Sequence, residues 1–291
     1  MKKLFRLDIF TPEIYYDQIL GILCVESSTG WEEKNLPEGR VVLSVHADNQ
    51  EALNSLRDII KTVSDKIETE LVEYQEQAWQ SAWKEYFTPI NVGDNFIILP
   101  SWLREQPCEG RKKIIIEPAF AFGTGHHATT RLCIASLDKV LSENRVKPNM
   151  RFMDLGCGSG ILGIAAALSG LSGVGLDIDD LSIRNAIKNA ELNNIDTIRF
   201  VCGSIENDAV DRYDLIMANI LAKPLIEMAS DLTERLKKDG ILILSGILDT
   251  QAAGVIAAYR QNGLPKPQIL IRNRAQSTSS LSVLSDSQAV P

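Results

Sequence analysis

The sequence predicts an α/β fold, a mostly parallel sheet covered by helices and preceded by a small α+β unit, and three observations carry that expectation. From residue 91 onward, strand patterns and helix patterns alternate regularly, which implies parallel strands with helices on both faces. Residues 155–176 carry no charged side chain and are bounded by Asp154 and Asp177, as the buried centre of such a sheet would be. The 291 residues also exceed one typical domain of roughly 150 residues, which leaves room for a second unit.

Residues 1–74 read as that second unit. LFRLDIF is a strand pattern, and Thr11-Pro12 resembles an N-cap followed by a first helical position. A turn-rich stretch follows, with VVLSVHA as the next strand. Asp48 stands where it could cap a helix in which Leu53, Leu56, Ile59, Ile60 and Val63 recur at helical spacing. IETELVEY closes the unit, and the order βαββαβ matches a ferredoxin-like half-sandwich. Residues 75–90 form a connector with Trp79, Trp83 and Phe87 four apart on one helical face, stopped by Pro89. The larger domain spans 91–291. Its strands are NFIILP, KKIIIEP, RFMDLG, GVGLDI, IRFVCG, YDLIMANI and ILILSGI, with PQILIRN and SLSVLS as a closing pair. Gly240 is placed as the C′ stop of a long helix beginning near Pro224.

Composition narrows the function. Apolar residues make up 45% and charged residues 23%, which excludes a disordered, collagenous or disulfide-stapled chain. Lys and Arg total 30 against 38 Asp and Glu, a formal charge of −8 that argues against a diffuse nucleic-acid surface. The five cysteines are widely spaced and none lies in a CxxC pair, so a reducing, cytoplasmic compartment is expected. The three histidines do not make a zinc site, and no metal is expected. Residues 155–176 are long enough to span a bilayer, but they are rich in Gly and Ser and lack basic or aromatic flanks, so no membrane association is expected.

The chemistry centres on one loop. RFMDLG runs straight into Gly156-Cys157-Gly158-Ser159-Gly160, and a helix pattern follows. Glycines there let the backbone turn sharply and approach a ligand. Residues 158–163 also fit GxGxxG, with Asp177 ending the next strand 19 residues past Gly158. On spacing alone this admits either a dinucleotide site or a tight strand–helix turn with no ligand.

The pattern D-x-G-x-G-x-G with the second acid, Asp177, resembles the class I S-adenosylmethionine methyltransferases, whose fold is a Rossmann-like mostly parallel sheet. A longer run stands upstream, from Glu117-Pro118-Ala119-Phe120-Ala121-Phe122-Gly123-Thr124-Gly125-His126-His127 to Thr129-Thr130, and the fourth strand ends in Ala218-Asn219-Ile220-Leu221. With the Trp79/Trp83 pair and the Pro100-Ser101-Trp102 turn, from about Trp79 to about Leu248, the chain resembles the methyltransferase family of ribosomal protein L-eleven of the large subunit. That resemblance implies transfer of methyl from S-adenosyl-L-methionine to lysine side chains and the N-terminal α-amine of that ribosomal protein, recognised by the 1–74 domain.

The same resemblance implies roles by position. Thr130 contacts the cofactor from the start of its helix. Gly156 lies against the methionine part, Gly158 and Gly160 shape the loop, Asp177 holds the ribose, and Asn219 both contacts the cofactor and stands at the mouth where it positions the amine. Phe122 and the turn after it cover the cofactor. Each has a plainer reading: Thr130 as a helix-start hydroxyl, Phe122 as core, His126 and His127 as turn residues, Cys157 as a small residue rather than a nucleophile. The carboxylate that often follows the third strand to meet the adenine is replaced by Cys202-Gly203-Ser204, with Glu206 nearby. Other readings are a lysine methyltransferase of another protein, a nucleic-acid methyltransferase, an NAD-dependent oxidoreductase and a non-catalytic module that keeps a cofactor pocket. Asn219-Ile220-Leu221-Ala222 lacks the Asn-Pro-Pro-aromatic run of enzymes acting on bases, so no nucleic-acid substrate is expected.

Overall fold

The computed structural model describes residues 3–27, 31–36, 39–75, 87–108, 110–117, 127–208, 212–273 and 279–286. Two compact units divide the chain, Met1–Thr88 and Pro89–Pro291. The Trp79/Trp83 stripe and Pro118–His126 fall outside the described residues.

In the first unit the elements are β1 (Lys3–Pro12), α1 (Tyr16–Glu26), β2 (Trp31–Leu36), β3 (Arg40–Ala47), α2 (Gln50–Lys61) and β4 (Glu68–Gln75). The sheet order is β2-β3-β1-β4 and every pairing is antiparallel, the arrangement of the ferredoxin-like half-sandwich. Alternation along β1 buries Leu7 and Ile9 completely, against Ile19 and Leu23 of α1 and Leu56 and Ile60 of α2. Each such side chain contributes about 1.5–3 kcal/mol on leaving water. Two expected caps differ. Thr11 pairs with Val41 inside β1, so the chain stays extended through Pro12, and a 3-10 turn over Glu13–Tyr15 leads into the α-helix at Tyr16. Asn49, not Asp48, caps α2: its side chain accepts the Glu51 N–H at 2.9 Å.

The second unit opens with a small sheet of its own, β5 (Ile90–Val92), β6 (Phe96–Pro100) and β7 (Lys112–Ile116), in which β6 and β7 run parallel. NFIILP and KKIIIEP therefore form strands as expected but do not enter the main sheet. Then follow α3 (Ala128–Ser142), β8 (Arg151–Leu155), α4 (Ile161–Ala167), β9 (Ser172–Asp177), α5 (Asp180–Leu192), β10 (Ile198–Cys202), β11 (Tyr213–Asn219), α6 (Ala222–Glu227), α7 (Ala229–Glu234), β12 (Leu236–Leu248), α8 (Asp249–Gln261), β13 (Gln268–Asn273) and β14 (Ser279–Asp286). The main sheet has the order β10-β9-β8-β11-β12-β14-β13, parallel except for β14, which pairs antiparallel with both β12 and β13.

Strand alternation fills two cores, one on each face. Phe152, Leu215 and Met217 enter one, with α3 and α4; Met153, Leu155, Ile216 and Ala218 enter the other, with α6, α7 and α8. The uncharged stretch resolves into a strand end, a loop, α4 with Ile161–Ala166 all buried, and the next strand. Among the described residues no helix is long and apolar enough to cross a membrane. Gly240 stops no helix: the helical run breaks at Met228 and ends at Glu234, and Gly240 sits in a bulge of β12 opposite β11, beside Asp239 at φ 66°.

Candidate functional site

The strand order reverses between β8 and β11: β9 and β10 lie on one side of β8, β11 and β12 on the other. Open α/β sheets bind ligands at such a switch point, beyond the carboxyl ends of the strands. The register fixes which residues stand there. Cys202 pairs with Asp177, Leu176 with Leu155, Leu155 with Ala218, and Asn219 with Ser245. Asp177, Gly156 and Asn219 therefore follow one another across the same edge.

The glycine loop has the shape its composition predicts. Gly156, Gly158 and Gly160 have φ of 69°, 53° and 78°, the left-handed region that other residues enter at a cost. The amides of Gly156 and Cys157 both donate to the Leu176 carbonyl, at 2.8 and 2.9 Å, which ties the loop to the end of β9. A Cβ on Gly156 would stand 2.3 Å from a methyl of Ile220, so the loop and the β11 end are in direct contact. Cys157 is buried, and burial, followed by the nearby Asp154 and Asp177 carboxylates, pushes its thiol pKa up. It stays a protonated small residue, as read from its sequence neighbours.

Asp177 is half committed. Its Oδ2 accepts the Gly158 N–H at 2.8 Å and its Oδ1 accepts the Asp179 N–H at 3.0 Å. A carboxylate oxygen has two acceptor sites, so each keeps one for hydroxyl donors of a ligand. Asp154 points to the opposite fate. It is fully buried, its Oδ2 accepts the Gly163 N–H of α4 at 2.8 Å, and its Oδ1 has no partner. Burial pushes its pKa up to about 7; the Gly163 bond opposes this and the Asp177 charge adds to it.

On the β11 side, α3 lies over the strand ends. Its N-terminus is capped by His127, whose Nδ1 lies 2.6 Å from the Thr129 hydroxyl and accepts the Thr129 N–H. That places His127 in a helix-start role; His126 lies outside the described residues. The Ser245 hydroxyl donates to the Thr129 carbonyl at 3.2 Å. Thr130 is buried, and its Oγ1 accepts from Asn219 Nδ2 at 3.3 Å, joining residues 89 apart in sequence. With Nδ2 so engaged, the Asn219 carbonyl oxygen is left buried with no partner. An orphaned acceptor of this kind costs free energy unless a ligand supplies a donor.

The structure thus brings Gly156, Gly158 and Asp177 to one half of an edge and Thr130 and Asn219 to the other. Glu206 is exposed in a short helical turn, Ile205–Asn207, following β10. What sequence reasoning missed is a row of amides on α5. Asn185 and Asn189 of the helix and Asn193 at its C-cap recur at i, i+4, i+8, a spacing visible in NAIKNAELNN. Asn189 is fully buried, and the Nδ2 of the buried Asn185 has no partner.

Comparison with known proteins agrees with this geometry. The ribosomal protein L11 methyltransferase family matches residues 23–274, a wider span than the motifs marked, reaching into the first unit. A ribosomal protein L11 methyltransferase of Nitratiruptor sp. is 37% identical over 243 residues, covering 81% of this chain and 82% of that protein. One of Desulfitobacterium hafniense is 39% identical over 191 residues, 65% of this chain and 60% of that protein. The crystal structure of a ribosomal protein L11 methylase from Lactobacillus delbrueckii subsp. bulgaricus has 35% identity and a TM-score of 0.58, covering 68% of this chain and 98% of that one.

Proposed function

This chain belongs to the ribosomal protein L11 methyltransferase family, and from that premise we propose that it moves methyl groups from S-adenosyl-L-methionine onto amines of ribosomal protein L11, lysine side chains and the N-terminal α-amine. The observation that carries the reading is the orphaned Asn219 carbonyl oxygen, buried at the switch point beside the glycine loop. The residues fit the cofactor. Three left-handed glycines keep the loop free of side chains where its amino-acid part would lie, and Asp177 retains acceptor sites for ribose hydroxyls.

When bound, the cofactor supplies an electrophilic methyl that leaves by in-line displacement, so the protein's task is position and electrostatics. Thr130 fixes the Asn219 amide by accepting from Nδ2, which sets the direction of its carbonyl oxygen. That oxygen accepts an N–H of the incoming amine and aims the nitrogen lone pair at the methyl. The amine must arrive neutral. Its reference pKa is about 10.4 for lysine and about 7.7–8.0 for an α-amine, and desolvation at the sheet edge lowers both. A neutral acceptor such as Asn219 suits repeated methylation, because it holds a primary or secondary amine without a fixed charge crowding the nitrogen. We assign recognition of the ribosomal protein to residues 1–74.

Incubation with labelled S-adenosylmethionine and free ribosomal protein L11 or large subunits, read by mass spectrometry, tests the proposal. Methylated lysines and a methylated N-terminus on L11 are expected. Label on a different protein with L11 untouched would move the substrate elsewhere, and calorimetric binding of NAD in place of S-adenosylmethionine would overturn the cofactor.

A further inference from the structure

The edge of β7 that faces away from β6 is paired by side chains instead of by a strand. Asn193 accepts the Ile115 N–H at 2.8 Å through Oδ1 and donates to the Ile115 carbonyl at 2.7 Å through Nδ2. One turn earlier on α5, Asn189 Oδ1 accepts the Glu117 N–H at 2.9 Å. The match is geometric. Four residues of helix rise about 6 Å, and two residues of strand about 6.6 Å. Amides four residues apart, at Asn189 of α5 and Asn193 at its C-cap, therefore meet alternate backbone groups along one half-buried strand edge.

Asn189 does something Asn193 does not. Its Nδ2 donates to the carbonyl of Ser159, inside the glycine loop, at 2.9 Å, and both residues are buried. One planar amide thus joins the loop between Gly158 and Gly160 to Glu117, the residue that opens the run ending at Thr130. The backing of the loop adds to this tie: a Cβ on Gly160 would stand 3.0 Å from Ala186 of α5, and Cys157 packs with Ile183 and Ala186.

We propose that Asn189 is a positioning residue for cofactor binding, holding the glycine loop in its open, left-handed course and coupling it to the start of the Glu117–Thr130 segment. The proposal rests on the reading of that loop as the S-adenosylmethionine site. Asn189 touches no reacting atom; it acts through Ser159.

The test uses the full-length protein with Asn189→Ala and, as a control, Asn193→Ala, which removes the bonds to Ile115 of β7 and one to the Asn189 backbone carbonyl, and none to the loop. Losing a buried partner of this kind corresponds to roughly a tenfold change in an equilibrium constant. Asn189→Ala is expected to raise the S-adenosylmethionine Kd about tenfold by calorimetry, with the KM for the protein substrate unchanged. Asn193→Ala is expected to lower Tm while leaving that Kd within about twofold. Hydrogen exchange without ligand adds a readout independent of the cofactor: amides 156–160 should exchange faster in Asn189→Ala than in Asn193→Ala. Equal loop exchange in the two variants, or a Kd that rises equally in both, would overturn the proposal and leave Asn189 a structural residue. Failure of the unsubstituted protein to bind S-adenosylmethionine would instead count against the cofactor reading, and the exchange comparison would still decide the tie. Should Asn189→Ala fail to fold, Asn189→Asp keeps the acceptor for Glu117 and removes the donor to Ser159, and the same comparison applies.

Discussion

The two halves of the switch-point edge are finished differently. On the β8–β9 side the groups at the edge itself are tied down: Asp177 accepts two backbone amides and the loop amides of Gly156 and Cys157 are spent on Leu176, while the unmet Asp154 Oδ1 lies fully buried within β8. On the β11 side, Thr130 holds one end of the Asn219 amide and leaves the other end buried and unmet. A region whose bonds are satisfied within the fold is rigid before a ligand arrives, which suits a cofactor held in one pose. A region with one unsatisfied acceptor is completed only by an incoming donor, which suits a reacting amine. The contrast separates binding from turnover, and substitutions on the two sides should split the same way.

The largest effect is expected at Asn219. Asn219→Ala removes the orphaned acceptor and the bond to Thr130, and misplacement of a reacting group costs on the order of 100-fold in rate. Steady-state kinetics should show that loss in kcat while S-adenosylmethionine still binds; near-normal turnover of a folded variant would dissolve the contrast.

Gly156→Ala tests the rigid side. At φ 69° an alanine costs about 1–2 kcal/mol, and its Cβ must also displace the Ile220 methyl that would stand 2.3 Å away. Urea unfolding should register that loss of stability together with weakened cofactor binding. An alanine variant of unchanged stability would mean that the loop is less constrained than its dihedrals imply.

The effect at Asp154 is visible only against pH. Its folded pKa, about 7, lies above the ordinary aspartate value of 3.8, so the folded protein holds the proton more tightly than the unfolded chain. Stability from this group is present at low pH and lost as pH rises from about 4 through about 7, by up to about 1.4 kcal/mol per pH unit. Asp154→Asn, which can still accept from Gly163, should gain stability relative to the unsubstituted protein across that window and hold a constant difference above it. Chemical denaturation between about pH 5 and pH 8 measures this; parallel curves would place the ionisation outside that window.

Much of the site was legible because its signals are local. Three glycines in five residues specify a left-handed loop, and Asp177 and Asn219 end strands whose apolar alternation is plain in the sequence. The closing β13–β14 pair was legible for the same reason. The misplaced details depend on competition between neighbours. Thr11 and Asp48 are good caps by composition, but Thr11 is claimed by the ladder to Val41, and Asn49 reaches the Glu51 amide in place of Asp48. Gly240 looks like a helix stop, yet the helix ends earlier and the glycine serves a strand bulge.

By itself the sequence determined the alternating α/β order, the glycine loop, the acids at successive strand ends and the resemblance that named the family, because periodicity and short motifs depend on neighbours within a few residues. Only the tertiary structure decided that β5, β6 and β7 form a separate sheet, that Thr130 meets Asn219 across 89 residues, and that Asn189 bridges Ser159 and Glu117. Those outcomes turn on which distant backbone groups a folded chain leaves without partners, and buried polar groups take whichever partner the packing brings within reach.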